Sequence, residues 1–168
     1  MNIYSNPLEV NQKLLHELFD YCDGELHWKV SPKPLVNIGD IAGHIEARGY
    51  KVIKIFGKKY KSHRLVFMYH HGYFPKRVDH IDGNRFNNHV ENLREVTASQ
   101  NSQNSKFRKN NTSGYKNVFF EKRNQKWRVV LRVNGVNKSF GYYKDIELAD
   151  LVATEARDKF CGQYARHF

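Results

Sequence analysis

The chain has 168 residues, which is long enough for one ordinary domain or two small ones. A formal net charge of +11, with 40% hydrophobic and 14% aromatic residues, excludes a disordered basic tail. No apolar run approaches the ~20 residues of a membrane span, and no signal-peptide pattern opens the sequence. Two cysteines are too few for a disulfide framework or a four-cysteine zinc site. We therefore expect a folded, cytoplasmic protein that binds a polyanion, with no membrane partner and no small-molecule cofactor.

The N-terminal part is predicted to mix helices and hairpins. Apolar residues at helical spacing predict a first helix over 6–21. A hairpin follows, whose turn and second strand lie at 24–28, and a second hairpin is expected to turn at 57–58. A short helix over 63–71 comes next, with Ser62 as its N-terminal cap.

The chain around position 80 has residues suited to metal-assisted chemistry. We expect a strand ending at Asp79 and His80, a turn at 82–83, a second strand, and a helix that begins near Thr97. Asn101 falls about one turn into that helix, so a tight strand–strand–helix unit can bring Asp79, His80 and Asn101 together. Carboxylate and amide oxygens suit Mg²⁺, and a histidine beside such a metal can take a proton from water near neutral pH.

The C-terminal part is predicted to be a hairpin. Lys126–Val133 alternates apolar and polar residues, and Asn134-Gly135 is a two-residue turn signal. Pairing through this turn places Tyr142 opposite Trp127 on the apolar face and Tyr143 on the polar face.

A helix that begins at Asp145 and stops at Gly162 carries an apolar stripe, which we expect to cover the apolar face of this sheet. The opposite, polar face is then open to solvent and has about the size that enters a DNA major groove. A merely solvated face remains an alternative. DNA binding is favoured by the charge, because residues 105–168 carry 14 basic and 6 acidic residues, against 14 and 11 in residues 1–104.

Residues 78–84 (VDHIDGN), with 92–94 (NLR) and 100–101 (QN) downstream, resemble the HNH endonuclease family. The similarity is to its phage and intron-encoded homing-type members in particular, and residues 62–66 (SHRLV) and 72–75 (GYFP) resemble the segment that leads to the motif. The C-terminal part carries a second resemblance. Residues 113–118 (SGYKNV), Lys126-Trp127 and 141–143 (GYY) are similar to the ethylene-response-factor (APETALA-type) DNA-binding domain.

The first resemblance implies a ββα-metal fold around 76–106 and assigns roles within it. His80 is expected to be the general base and Asn92 to brace the loop that holds it. Asp79 and Asn101 are expected to hold one divalent metal, Mg²⁺ or alternatively Mn²⁺. The family often has His where this chain has Asn101, but homing-type members share the Asn.

DNA contacts are predicted in both parts. Near the motif, Arg64 and Arg85 are candidate phosphate contacts, and Arg94 either contacts phosphate or pairs with Glu91 or Glu95. In the tail, the second resemblance and the polar face agree on base-reading positions, and other basic residues are assigned to phosphates. The tail candidates are Lys116, Arg123, Lys126, Arg128, Arg132, Asn137 and Ser139.

Together these observations predict an α+β protein in three parts. Residues 1–106 form an N-terminal extension and an HNH nuclease module (core about 60–106), 107–113 a basic linker, and 114–168 a three-stranded antiparallel sheet packed on one helix. The predicted function is a metal-dependent endonuclease, site-specific or homing-type, that nicks or cuts double-stranded DNA in the cytoplasm of a phage host, as a monomer or a dimer. The alternatives are a non-catalytic DNA-binding regulator and an RNA-binding protein.

Overall fold

A computed structural model describes residues 9–47, 49–103 and 111–165. The chain mixes helices and strands, consistent with the α+β class, and divides into two compact units, Met1–Glu95 and Val96–Phe168. In the described part of the chain, no helix combines the length and apolar surface that crossing a membrane requires. Part of the expected linker 107–113 lies outside the described residues.

Among its described residues, the first unit has two helices and three small antiparallel sheets, with strand orders β1-β2, β3-β4-β5 and β6-β7. A 3₁₀ turn at Val90–Asn92 precedes β7. The elements in chain order are α1 (Gln12–Leu18), β1 (Phe19–Cys22), β2 (Glu25–Trp28), β3 (His44–Ile45), β4 (Lys51–Ile55), β5 (Lys58–Lys61), α2 (Ser62–His71), β6 (Val78–His80) and β7 (Leu93–Glu95).

The predicted first helix is too long at its C-terminal end. In the structure α1 ends at Leu18, and Phe19–Cys22 forms β1, which pairs with β2. The chain leaves the helix because Phe19 and Trp28 form a cross-strand ring pair in the core, with centroids 4.5 Å apart. The predicted residues 6–8 lie outside the described part of the chain.

Two details of the second hairpin and α2 also differ from the prediction. Ile55 pairs with Lys58, so the turn is at Phe56-Gly57, where both residues have positive φ, rather than at 57–58. The prediction that Ser62 caps α2 is wrong: Lys61 is the cap residue and Ser62 is the first helical residue. Ser62 is fully buried, so its side chain packs inside the unit instead of folding back on the helix end.

The described part of the second unit has two helices and one sheet of order β10-β9-β8. Its elements are α3 (Ala98–Gln103), β8 (Val118–Glu121), β9 (Lys126–Val133), β10 (Val136–Tyr143), α4 (Ile146–Cys161) and a 3₁₀ turn at Gly162–Tyr164. The Asp145 side chain accepts a hydrogen bond from the Leu148 N–H, at 2.7 Å, and so caps α4, which begins one residue after the predicted start. The alanine stripe of α4 packs on the apolar face of the sheet.

The predicted hairpin register is right near the turn and wrong beyond it. Arg132 pairs with Asn137 as expected, but a β-bulge follows, so that Tyr142 pairs with Arg128 and Tyr143 with Trp127. Tyr143 therefore joins the core and Tyr142 lies on the polar face, the reverse of the prediction. The bulge is possible because Gly141 adopts φ +115°, where an added Cβ would meet the Tyr143 hydroxyl at 2.9 Å.

Candidate active site

The short hairpin of β6 and β7 carries the candidate site. Its register pairs Asp79 with Arg94 and His80 with Leu93, and a long loop, residues 81–92, joins the two strands. The loop is attached to the first hairpin of the unit, because the Val90 N–H donates to the Tyr21 hydroxyl at 3.1 Å.

Asn92 ties the two ends of this loop together. Its Oδ1 accepts from the Asp82 N–H at 3.0 Å, and its Nδ2 donates to Asp82 Oδ1 at 3.0 Å and to the Asn87 carbonyl at 2.8 Å. The Asn92 carbonyl also accepts from the Ile81 N–H, at 2.9 Å. Asn92 therefore contacts the loop that follows His80 from both its side chain and its backbone.

Asp82 is the centre of the same network. Partial burial alone would raise its pKa. That effect is outweighed by the bonds from the Asn84 N–H and the Asn92 and Asn87 amides, together with the charge of His80, so that the pKa lies below its usual value. The carboxylate is thus kept ionised as the acceptor that these donors require.

His80 is nearly fully buried and is held by a residue that the sequence analysis did not select. Its Nε2 lies 3.0 Å from Asn88 Oδ1, and the two side chains are 5% and 2% exposed. Because an amide oxygen only accepts, Nε2 carries the proton of this hydrogen bond. The sequence signal for Asn88 was weak: it is one of several Asn residues in a loop full of turn formers.

His63, on the first turn of α2, packs against the ring of His80. Its ring centroid lies 5.0 Å from that of His80, with an interplanar angle of 68°, and 5.5 Å from that of Tyr50. Burial, followed by the positive charges of His80, Lys61 and Arg64, lowers the pKa of His63 from 6.5 to about 3. His63 is therefore neutral at physiological pH.

Arg94 forms an ion pair with Asp79, a partner that the sequence alternatives did not include. Its Nε and Nη2 lie 3.3 and 3.2 Å from Asp79 Oδ2, and both side chains are largely buried. The pair follows from the strand register, which places the two residues directly opposite each other. Arg94 thus binds one oxygen of the predicted metal-ligand carboxylate.

The donor set for a metal is small. Among the residues that the structure describes, no group of three or more His, Cys, Asp or Glu side chains could hold an ion. Asp79 lies in the first unit, and Asn101 lies on α3 in the second unit, where its N–H donates to the Thr97 carbonyl at 3.0 Å. One carboxylate and one amide fit Mg²⁺, which keeps several waters and takes phosphate oxygens as further ligands.

Two predicted phosphate contacts of the first unit have contacts within the fold. Arg64 donates to the carbonyls of Pro75 and Lys76, at 2.9 and 3.2 Å, and so holds the segment before β6. The Arg85 guanidinium lies over the Tyr50 ring, 4.8 Å from its centroid.

In the second unit, the register places four of the predicted DNA contacts on the polar face of the sheet: Arg128, Arg132, Asn137 and Ser139.

The three remaining candidates for DNA contacts in the second unit lie before β9 or at its start. Lys116 donates to the Gln103 carbonyl at 2.8 Å, Arg123 is exposed in the turn before β9, and Lys126 is paired across the strands with Glu121. Arg128 lies over the Tyr142 ring, at 5.7 Å, and Arg132 donates to the Gly135 carbonyl at 3.1 Å.

Arg157 is a buried cation that the sequence analysis did not select. It is 2% exposed and donates to the Lys116 carbonyl at 2.6 Å and to Thr154 Oγ1 at 2.7 Å. Burial lowers its pKa, and Asp150 opposes this effect from 3.7 Å. These contacts explain Arg157 as an anchor for the segment before β8.

The segment that carries the candidate site matches a known protein family. Residues 60–103 match a family model described as HNH endonuclease, so this part of the chain is an HNH endonuclease domain. Protein 3.8 of Escherichia phage T7 is 35% identical over 120 residues, which cover 69% of this chain and 97% of that protein. The chain therefore belongs to the family of phage T7 Protein 3.8.

A second relative comes from Bacillus subtilis (strain 168). It is YosQ, derived from the SPbeta prophage and provisionally named an HNH homing endonuclease, and it is 46% identical over 59 residues, about 34% of each chain. No solved structure matches the chain. The family match ends at residue 103 and does not reach the segment that resembles the ethylene-response-factor domain.

Proposed function

We propose that this protein is a metal-dependent DNA endonuclease that hydrolyses phosphodiester bonds. The observation that carries the proposal is the buried His80–Asn88 hydrogen bond at the end of β6, inside the segment that matches HNH endonucleases. The bond keeps a proton on Nε2, and we assign Nδ1 as the nitrogen that acts as the general base.

We assign the ββα-metal arrangement to β6, β7 and α3, which follow one another in the chain in that order. In this assignment β6 carries the general base and one metal ligand, and the loop braced by Asn92 holds the base in place. Its support is the hydrogen-bond network of Asn92 and Asp82.

The proposed reaction uses His80 as the base. Its Nδ1 lone pair takes a proton from a water molecule, and the water oxygen attacks the scissile phosphorus in line with the leaving oxygen. A P–O bond forms on one side and the P–O3′ bond breaks on the other, so the leaving 3′-oxygen receives a proton from solvent. Asn88 Oδ1 accepts the hydrogen bond from the Nε2–H group throughout and stabilises the imidazolium that forms.

The residues assigned to a divalent cation are Asp79 and Asn101. Bound there, Mg²⁺ or Mn²⁺ would supply positive charge to a non-bridging phosphate oxygen and to the leaving oxygen. Arg94 donates to Oδ2 of Asp79 and so orients the carboxylate.

We propose that residues 114–168 form a DNA-binding domain of ethylene-response-factor type that holds double-stranded DNA for the nuclease module at 1–106. The support is the polar sheet face, where Arg128, Arg132 and Asn137 lie together. Arginine can bind both acceptors of guanine, whereas Lys116, Arg123 and Lys126 are assigned to phosphates, as Arg64 and Arg85 are in the first unit. A site-specific, homing-type role in a phage host is the corresponding biological proposal, and the name of YosQ supports it.

A plasmid cleavage assay tests this proposal. Supercoiled plasmid is incubated with the full chain and Mg²⁺ or Mn²⁺, with and without EDTA. Relaxed or linear product that EDTA abolishes is expected. Tight binding in a gel shift with no scission in either metal would contradict the proposal and leave a non-catalytic DNA-binding protein, which the basic sheet face also favours.

A further inference from the structure

His63 has no part in the reaction proposed above, yet it is one of the most enclosed polar side chains of the first unit. It is 5% exposed and lies on the first turn of α2, where the rings of Tyr50 and His80 both pack against it. The two contacts are ring contacts, with centroids 5.5 and 5.0 Å apart.

We propose that His63 is a positioning residue for His80, which holds the plane of the His80 ring so that Nε2 stays on Asn88 and Nδ1 faces the water. This inference rests on the proposed function, because it gives His80 a defined orientation for proton abstraction. His63 touches neither DNA nor water in this role and acts only through His80.

The geometry explains why a flat ring is needed. The hydrogen bond to Asn88 acts on the Nε2 atom of His80, whereas rotation of the imidazole about its Cβ–Cγ bond is opposed by atoms that pack against the ring. The edge-to-face contact with His63, at 68°, blocks that rotation over the width of the ring. The two contacts together determine both the tautomer and the plane of His80.

The charges around His63 suit this role. Lys61 and Arg64 on its own segment and His80 on β6 all disfavour a proton on His63. The Tyr50 ring that packs on His63 carries Lys61 at 4.1 Å and Arg85 at 4.8 Å. His63 is therefore a neutral neighbour that adds no positive charge beside the base.

The test replaces the ring and then restores it. His63→Leu keeps an apolar side chain of similar volume without a flat ring, His63→Phe restores the ring, and His63→Met repeats the first change if the leucine variant does not fold. Leu65→Ala is the matched control, because Leu65 is fully buried on the same helix but points about 200° away from His63. Each full-length variant is tested for its single-turnover cleavage rate on supercoiled plasmid and for its affinity in a gel shift.

A second readout does not depend on cleavage. The ¹⁵N shifts of the imidazole nitrogens report the tautomer of His80, assigned by comparison with His80→Ala, at a pH above the usual pKa of histidine. In the wild type we expect Nε2–H, and in His63→Leu a mixture of both tautomers.

We expect His63→Leu to cut on the order of 10–100-fold more slowly with unchanged DNA affinity, because small misplacements of catalytic groups are costly. His63→Phe should recover to within about threefold of the wild-type rate, and Leu65→Ala should cut as the wild type does. An unchanged rate or an unchanged His80 tautomer in His63→Leu would overturn the inference. If the wild type itself does not cut, the proposed function fails, and the tautomer alone then decides whether His63 positions His80.

Discussion

At the scale of single residues, His63 shows how burial determines protonation. Burial and neighbouring positive charge hold the pKa of His63 near 3, whereas in the unfolded chain it returns to about 6.5. Between these two values the unfolded chain binds more protons than the folded one. The free energy of unfolding of the first unit therefore falls as the pH falls through this window.

We predict that His63→Phe removes this contribution. Below about pH 6 the wild type should lose up to about 1.4 kcal/mol of its free energy of unfolding per pH unit through His63, and the phenylalanine variant should lack that part of the slope. Urea unfolding at about pH 7 and about pH 5 measures the difference. His44→Ala, which removes an exposed histidine of β3, should keep the wild-type slope. Equal slopes for wild type and His63→Phe would refute the prediction.

Asn88 is the second residue whose role can be isolated. Asn88→Ala removes the acceptor of the His80 Nε2–H, so the ring loses its defined tautomer. We predict a cleavage rate lower by about 10–100-fold, within the range that general-base catalysis contributes, with unchanged affinity for plasmid DNA. Asn37→Ala, in an exposed loop, is the control. A wild-type rate for Asn88→Ala would show that His80 does not need this bond.

At the scale of elements, the sequence predicted what local signals determine. Asn134-Gly135 identified the long hairpin, Asp145 the start of α4, and the alternation in Lys126–Val133 the core face of the sheet. These patterns succeed because turn chemistry and hydrophobic period act over a few neighbouring residues.

The features that sequence analysis missed depend on contacts between distant residues. The bulge at Gly141 shifts the register by one residue, and a glycine in a strand does not by itself say whether a bulge occurs there. The Asp79–Arg94 pair requires the register of β6 and β7 across a long loop. The contact of His63 with His80 requires the packing of α2 on that hairpin, which no local pattern encodes.

The bulge gives a testable difference between two adjacent tyrosines. Tyr143 packs in the core, and its hydroxyl donates to the Phe140 carbonyl at 2.7 Å, so Tyr143→Ala should lower the free energy of unfolding by about 2–3 kcal/mol. Tyr142 is 42% exposed beside Arg128, so Tyr142→Ala should leave stability nearly unchanged and weaken DNA binding. Thermal unfolding and a gel shift separate the two effects. If Tyr142→Ala lowered the free energy of unfolding more than Tyr143→Ala does, the register without a bulge would be the correct one.

At the scale of the whole molecule, the excess of basic over acidic residues is largest in the C-terminal part, residues 105–168, which carries 14 basic and 6 acidic residues. Binding to DNA should therefore depend strongly on salt, because each neutralised phosphate releases counterions. Arg123 is exposed in the turn before β9 and is assigned to a phosphate.

We predict that Arg123→Ala reduces the slope of log affinity against log salt concentration by about 0.9, similarly for all DNA sequences. Fluorescence anisotropy with two unrelated duplexes measures this slope. Lys33→Ala, an exposed lysine of the first unit, is the control and should leave the slope unchanged. A loss of affinity confined to one duplex would mean that Arg123 contacts a base.

The most direct test of the central claim, that His80 is the base of a DNA-cutting site, is the single-turnover cleavage of supercoiled plasmid by His80→Ala beside wild type and His44→Ala. We expect His80→Ala to lose about 10²–10⁴-fold in rate while it binds DNA and folds as the wild type does, and His44→Ala to cut normally. Cleavage by His80→Ala at the wild-type rate would contradict the account.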